Sequence, residues 1–409
     1  MTHSLTIIGA GPAGMTAALF AARAGAQVTL IDGNPTVGRK LLVTGAGRAN
    51  LTNRELAAER YTCADPAWLE SVLSRFGYAE LNAFFESIGV LTYCTHDGWC
   101  YPRSESAQTV VDAFAAALAE AGVNVLLNHR VISIRNTPGS FEVNFKTQRP
   151  HTSENLLVAA GGSAYPALGS RGQLFPMLQT LGHTIIPPRP ALAPVTCDMT
   201  PWQALQGVRL DANVKLYEGS KLLAATTGNL IFTAWGLNGP AVMDLSHHIS
   251  ARPGADLRLE LNPLFASEAV LRALLREKRN SPTPLAVLLG AVLPPKLPPL
   301  VLKMAGFAPD MLCSQLSDKA LPYLFALLTA LPLRVTGTRG FEFCQVSTGG
   351  VPVSEVDPLN MRSRIVPSVQ LAGETLDVVG PCGGYNLHFA FATGAIAGMG
   401  IGQRLVNRD

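Results

Sequence analysis

Gly9-Ala10-Gly11-Pro12-Ala13-Gly14 follows directly on the apolar run from Leu5 to Ile8 and leads into a small-residue stretch that reads as a helix from Ala13 to Ala24. A second apolar run, Val28 to Ile31, ends in Asp32. A glycine-rich turn between strand and helix, with an acid closing the next strand, is the pattern that binds a dinucleotide. Gly9 makes the turn, Gly11 lets a pyrophosphate approach the backbone, and Gly14 lets helix and strand pack closely. The N–H groups at the helix start meet the phosphates. Asp32, with Gly33 beside it, accepts from a ribose, and its charge disfavours a nicotinamide cofactor bearing a 2′-phosphate here. By itself this fingerprint does not separate FAD from NAD.

A second glycine-rich stretch, GRKLLVTGAGRANLTN, begins six residues after Asp32 and runs from Gly38 to Asn53. Gly38, Gly45 and Gly47 allow backbone to lie against a ligand. Arg39, Lys40 and Arg48 can meet a phosphate or another anion, and Asn50 and Asn53 can cap turns or the next helix. An extra cradle of this size suits FAD, with its ribityl chain and ring, better than a nicotinamide cofactor.

The same stretch resembles the loop of the BaiN/RdsA-type NAD(P)/FAD-dependent oxidoreductases, whose pattern is close to GRKxxxSGGGRCNxTN. Arg39, Lys40, Gly45, Gly47, Arg48, Asn50, Thr52 and Asn53 match it. Thr44 stands for the serine, Ala46 for a glycine and Ala49 for the cysteine, so thiol chemistry at position 49 is lost. Further blocks resemble that family in order: GWCYPRSESAQTVVDAF, LLVAAGGSAYPALGSRG, RPALAPV, GNLIFTAWGLNGPAVMDLS, STGGVPVSEVDPLNMRS and LAGETLDVVGPCGGYNLHFAFATGAIAG. They extend from Leu5 to about Ala397. In IFTAWGLNGP, Ala234 replaces the family's histidine and Asn238 its serine, so a relative's substrate does not transfer directly. The resemblance implies a two-segment FAD domain, with Val131 placing backbone near the adenine and the turn at Gly373-Glu374 bringing an acid toward the ribityl or pyrophosphate part.

Elements must position these residues. Leu156 to Ala160 reads as a buried strand ending at Gly161, and small residues there suit a chain crossing beside a bound cofactor. Gly383-Gly384-Tyr385-Asn386-Leu387 opens a long apolar helix. Gly383, Gly384, Asn386 and Leu387 would present its free N–H groups to N1 and the C2 carbonyl of an isoalloxazine, where reduction builds negative charge. PPRPAL near Pro187 marks a boundary. The expected fold is α/β: a Rossmann-like FAD-binding domain with an inserted β-rich domain that itself carries a helical subdomain. Its expected pieces are the first FAD segment at 1–187, the insert at 188–263, the helical subdomain at 264–331, a return strand at 332–341 and the second FAD segment at 342–409. Within 190–341 no second strand–GxGxxG–helix–acid unit appears, so NADH or NADPH would visit transiently.

Lys and Arg number 32 against 29 Asp and Glu, a net +3 with no basic run, which argues against a nucleic-acid partner. The two most apolar segments are short or broken by prolines, and no membrane span is expected. The N-terminus enters a strand without a leader pattern, which reads as cytoplasmic. Seven scattered cysteines lack a CxxC, so neither a disulfide framework nor a dithiol pair is expected. The function expected is FAD-dependent oxidoreduction of a small-molecule substrate, with NAD(P)H reducing an organic acceptor through flavin N5. The alternatives are a flavin oxidase of a small amine using dioxygen, a flavin-dependent RNA-modifying enzyme and a non-enzymatic FAD-binding redox module. No catalytic acid or base and no metal ligand is assigned. His388 reads as a packing histidine.

Overall fold

A computed structural model describes residues 4–406. The chain divides into two compact units, one of residues 1–189 with 345–409 and one of residues 190–344. The fold is the α/β architecture expected from the sequence, a Rossmann-like unit interrupted by a β-rich insert that carries helices.

The first unit is built on a five-stranded parallel sheet in the order Val369–Leu371, Asn155–Val158, Ser4–Ile8, Gln27–Ile31, Asn124–Leu126. Leu5, Ile7, Leu30, Leu156 and Leu157 are buried in it, as both faces of a parallel sheet must be. Helix Pro12–Arg23 follows the first strand, and its small residues have a packing reason. A Cβ at Gly394 would strike the Ala13 carbonyl, and one at Gly398 would lie 2.6 Å from the Ala17 carbonyl. The C-terminal helix Tyr385–Val406 therefore approaches the first helix almost backbone to backbone. That contact returns the end of the chain to the core formed by its beginning.

Beside the sheet, the short strand Thr52–Asn53 pairs with Trp99–Pro102, which pairs with Thr92–Cys94. Cys94 and Cys100 lie directly opposite in this hairpin and form a disulfide, which corrects the expectation that no cysteines pair. The expectation rested on counting and spacing. The pairing arises because the hairpin turn at residues 95–98 brings the two positions into register.

The second unit contains a closed barrel in the order Val195–Cys197, Gly236–Asn238, Lys221–Phe232, Arg209–Glu218, Leu257–Asn262, Leu331–Thr338. The last strand pairs back with the first. Along Arg209–Glu218, Leu210, Ala212, Val214 and Leu216 point inward and alternate with outward residues. Lys221–Phe232 is one continuous strand of the barrel. Four helices, Glu268–Glu277, Leu285–Leu289, Leu297–Met304 and Ala320–Thr329, lie between the last two barrel strands in sequence, and their leucines share one core with the barrel interior. Among the described residues, no helix is long and apolar enough to cross a membrane.

Candidate functional site

The three fingerprint glycines have three separate local reasons. Gly9 has φ +108, and a Cβ there would strike the Ala159 carbonyl. A Cβ at Gly14 would strike the Gly9 carbonyl, so this glycine lets the helix sit on the turn. Gly11 is different. Its φ is −82, which any residue adopts, and a Cβ would meet no protein atom within 4 Å. Neither conformation nor packing within the protein calls for a glycine at 11, which leaves the approach of a ligand to the backbone. Gly11 is also the N-cap of helix Pro12–Arg23 and offers no capping side chain, so the helix start keeps its donors for a partner. This geometry fits the pyrophosphate of a dinucleotide such as FAD.

Asp32 stands at the end of its strand beside this turn. Its Oδ2 accepts from the Ala10 N–H at 2.8 Å and its Oδ1 from the Asn34 N–H at 2.8 Å. A carboxylate has about four acceptor positions. Two are occupied by backbone, which fixes the group, and the others can take ribose hydroxyls. Gly33 is exposed, and a Cβ there would lie 3.6 Å from the Arg130 backbone. Val131 is buried at the start of strand Val131–Thr137.

The cations of the second loop each have a partner inside the protein. Arg39 donates to Asn34 Oδ1 at 2.8 Å. Lys40 Nζ meets Glu374 Oε2 at 2.8 Å. The Arg48 guanidinium lies over the Tyr101 ring, 4.6 Å from its centre. Leu41–Gly47 is a tight turn in which Gly45 (φ 56) and Ala46 (φ 56) take the left-handed conformation, followed by Gly47 (φ 87) and Ala49 (φ 59).

Lys40 and Glu374, 334 positions apart, tie the second loop to the C-terminal turn. The other oxygen of Glu374, Oε1, accepts from Ser347 N at 2.9 Å and Ser347 Oγ at 3.0 Å. Ser347 Oγ also accepts from Ser163 N. A Cβ at Gly162 would strike this serine, which explains the paired glycines after strand Asn155–Val158. A Cβ at Gly161 (φ +76), next to Ala160, would lie 2.6 Å from Ser170 Oγ. Gly373 has φ +66, and a Cβ there would come within 3.0 Å of Ala13 Cβ. Ser347 is the functional-site residue that sequence reasoning missed. STGG was visible as a block, but its serine had no chemical pattern that pointed to a partner 27 positions away.

The start of the C-terminal helix is held by the same short sheet that carries the second loop. Asn53 Nδ2 donates to the Gly383 carbonyl at 3.0 Å. A Cβ at Gly383 would come within 2.7 Å of Trp99 Nε1, and one at Gly384 (φ +94) would strike the Thr52 carbonyl. Asn50 is buried, with its amide nitrogen 3.2 Å from the carbonyls of Thr52 and Cys100. Asn386 bonds both ways with the Gly380 backbone, donating to its carbonyl at 2.7 Å and accepting its N–H at 2.8 Å. Leu387 packs partly buried against the core.

His388 is fully buried. Its Nε2–H donates to the Phe76 carbonyl at 3.1 Å, which leaves Nδ1 to accept from Thr52 Oγ1 at 2.8 Å. Burial pushes its pKa down to about 4, and the Phe76 carbonyl opposes that shift. The ring is thus a neutral strut between two elements. Ser363, His183 and Glu355 have the connectivity of a hydrolytic triad, with His183 2.7 Å from Glu355 and 3.0 Å from Ser363. The Ser363 oxygen, however, already accepts from Ile365 N and Val366 N, and the serine and histidine are buried. The trio locks a loop and has no nucleophile to offer. Among the described residues, no cluster of His, Cys, Asp or Glu could hold a metal ion.

Residues 3–400 match the family model of the HI0933-like protein Rossmann domain. The chain is 34% identical to the 3-dehydro-bile acid delta(4,6)-reductase of Clostridium scindens, over 98% of this chain and 100% of that one. It is 30% identical to the ribosomal RNA dihydrouridine synthase of Escherichia coli, over 95% of both chains. Among solved structures, the 3-ketosteroid delta1-dehydrogenase of Sterolibacterium denitrificans aligns with a TM-score of 0.55 at 11% identity, covering 98% of this chain and all of that one. That last likeness concerns the fold alone.

Proposed function

The chain belongs to the HI0933-like family of Rossmann-fold FAD-binding oxidoreductases, and we propose that it uses NADH or NADPH to reduce a carbon–carbon double bond conjugated to a carbonyl. At the coarser level it is a flavin-dependent oxidoreductase acting on an organic substrate. The observation that carries the finer reading is the chemistry shared by two relatives matched over nearly their whole length. One is a delta(4,6)-reductase of a 3-dehydro-bile acid and the other makes dihydrouridine. A 3-oxo-4,6-diene and a uracil ring both present an alkene polarised by a carbonyl, so the same hydride chemistry serves both.

FAD, when bound, supplies a carrier that takes a hydride from the nicotinamide and delivers it from N5. The chain's own part is to hold and orient. In this reading Gly9 to Gly14 take the pyrophosphate, with Gly11 giving backbone access, and Asp32 takes the adenosine ribose through its two open acceptor positions. Gly33 and Val131 line the adenosine end. Ala160-Gly161 and Gly373-Glu374 supply small-residue edges after the two strands that lie on one side of the turn's own strand, and the Lys40–Glu374 pair fixes the distance between the second loop and the C-terminal turn. Arg39, Gly45, Arg48 and Asn50 shape the second loop. Gly383, Gly384, Asn386 and Leu387 set the start of the C-terminal helix, whose positive end favours charge developing on a nearby acceptor.

Anaerobic rapid mixing tests the proposal. The purified protein should be yellow, with FAD identified by chromatography after heat release. NADH or NADPH should bleach the flavin absorbance, and a steroidal 4,6-dien-3-one should restore it in the absence of oxygen. Bleaching by a small amine together with restoration only by dioxygen would establish the oxidase reading instead.

A further inference from the structure

Two turn tips of the barrel unit meet around one arginine. Thr233–Gly236 is a tight turn in which Thr233 N and Oγ1 both bond the Gly236 carbonyl at 2.8 Å. The second tip runs from Arg339 to Cys344 and is closed by bonds from Phe343 N and Cys344 N to the Gly340 carbonyl. Arg339 is anchored through its backbone N–H to the Pro194 carbonyl at 2.9 Å. Its guanidinium carbon lies 3.5 Å from the centre of the Phe343 ring and 4.7 Å from that of Trp235. Phe343 is exposed, and Trp235 and Arg339 are half-buried.

An aromatic flank on either ring holds a guanidinium in place without using its N–H groups. Among the described residues, no carboxylate or carbonyl takes a hydrogen bond from this one. Four other arginines of the unit differ. Arg252, Arg258, Arg272 and Arg279 each meet a carboxylate at 3.5 Å or less. Arg339 is thus a pre-oriented fork of donors, weakly hydrated on its faces, with its charge uncancelled. Such a fork matches a carboxylate edge with two parallel hydrogen bonds.

We infer that Arg339, flanked by Trp235 and Phe343, is a binding site for the carboxylate of a small apolar organic acid. The site stands on the geometry of the barrel unit alone. A nucleic acid is the weaker match. Backbone recognition needs several cations in a row, whereas a single arginine stands between these two rings. The apolar flanks of Trp235 and Phe343 suit a hydrocarbon body carrying the carboxylate.

Equilibrium dialysis of the oxidised holoenzyme, without nicotinamide, tests it. The probes are a steroidal 4,6-dien-3-one with a side-chain carboxylate, its methyl ester, and a uridine-containing RNA oligonucleotide. Arg339→Gln removes the charged fork and should weaken the acid by about tenfold or more. The ester should shift by less than about twofold. Arg339→Lys should fall between, keeping charge but losing the fork, and Trp235→Leu should weaken the acid while leaving Arg339 present. Unfolding midpoints of each variant identify any that fails to fold, and Arg339→Lys then carries the comparison. Equal losses for acid and ester, no binding of either, or Arg339-dependent binding of the RNA alone would overturn the site.

Discussion

The two glycine-rich loops of the first unit look alike in sequence and differ in what their glycines do. In Gly9 to Gly14, one glycine is set by conformation, one by packing, and Gly11 by neither. In Gly38 to Asn53, every glycine has a positive φ: Gly38 at +64, Gly45 at +56 and Gly47 at +87. A Cβ at Gly38 would also press on Val111, and one at Gly45 on the Asn50 backbone. The second loop therefore needs its glycines to fold, whether or not a cofactor lies against it. Density of glycine does not report a ligand. A glycine with ordinary φ and empty space over its α-carbon does.

The largest effects should separate the two kinds of glycine. Gly14→Val forces a side chain into the Gly9 carbonyl, and the unit should lose more than about 4 kcal/mol or fail to fold. Gly11→Ala should leave the unfolding midpoint within about 0.5 kcal/mol of the parent, as at an unencumbered site, yet weaken FAD by about tenfold or more. Urea titration of the apoprotein and fluorescence titration with FAD read the two quantities apart. A Gly11→Ala protein that binds FAD like the parent removes the pyrophosphate from this turn.

Gly384 belongs with the second loop in this comparison. From the sequence it is expected at a helix start facing the reducible edge of a flavin ring. The structure supplies a reason within the protein, since the Cβ of any other residue would strike the Thr52 carbonyl at a φ of +94. Gly384→Ala should therefore destabilise the unit by about 3 kcal/mol or more before any cofactor is added. A stable apoprotein with this substitution would show that the strand Thr52–Asn53 yields and that the contact is not what selects glycine.

These cases show which part of the molecule could be read in advance. The strand–turn–helix–strand–acid run is local, so its residues announce one another, whereas the return of the chain to its first domain is legible only through the resemblance to a known family. The barrel is not local. Val195–Cys197 pairs with Leu331–Thr338 across more than a hundred residues, and nothing in either strand names the other. Lys40 and Glu374 were both visible as charged residues near glycines, but their mutual neutralisation, and the place of Ser347 between them, depend on three loops meeting. The Cys94–Cys100 pair was missed because hairpin register, rather than cysteine spacing, brings the two together.

A buried histidine gives a smaller and more gradual effect. His388 bridges Thr52 to Phe76 and has its pKa pushed down to about 4 by burial. The unfolded chain takes up its proton near pH 6.5, so between pH 6.5 and 4 the unfolded state binds more protons than the folded one. Stability from this group is complete above about pH 6.5 and falls as the pH drops toward 4, by a total on the order of 3 kcal/mol. His388→Gln should be less stable at pH 7 through lost packing, yet show a flatter decline between pH 7 and 5 in urea midpoints. An unchanged slope would mean that other groups carry the acid sensitivity.

The smallest effect returns to the second loop and to its departures from the family pattern. Ala46 stands where that pattern has glycine, and it keeps a left-handed backbone at φ 56 and ψ 40. A non-glycine residue there costs roughly 1–2 kcal/mol, and the greater freedom of glycine in the unfolded chain returns about half of that. Because Ala46 is exposed, its methyl group buries little and Ala46→Gly should stabilise the protein by about 0.5–1 kcal/mol. Ala49 has nearly the same backbone, φ 59, but is fully buried. Removing its methyl forfeits about 0.8 kcal/mol of apolar burial, which cancels the conformational gain, so Ala49→Gly should be close to neutral. Urea midpoints of the two single variants decide whether backbone strain or burial weighs more at each position. Equal stabilisation by both would show that the Ala49 methyl contributes nothing to packing, and destabilisation by Ala46→Gly would show that this turn gains more from a stiffer unfolded chain than it loses to its left-handed conformation.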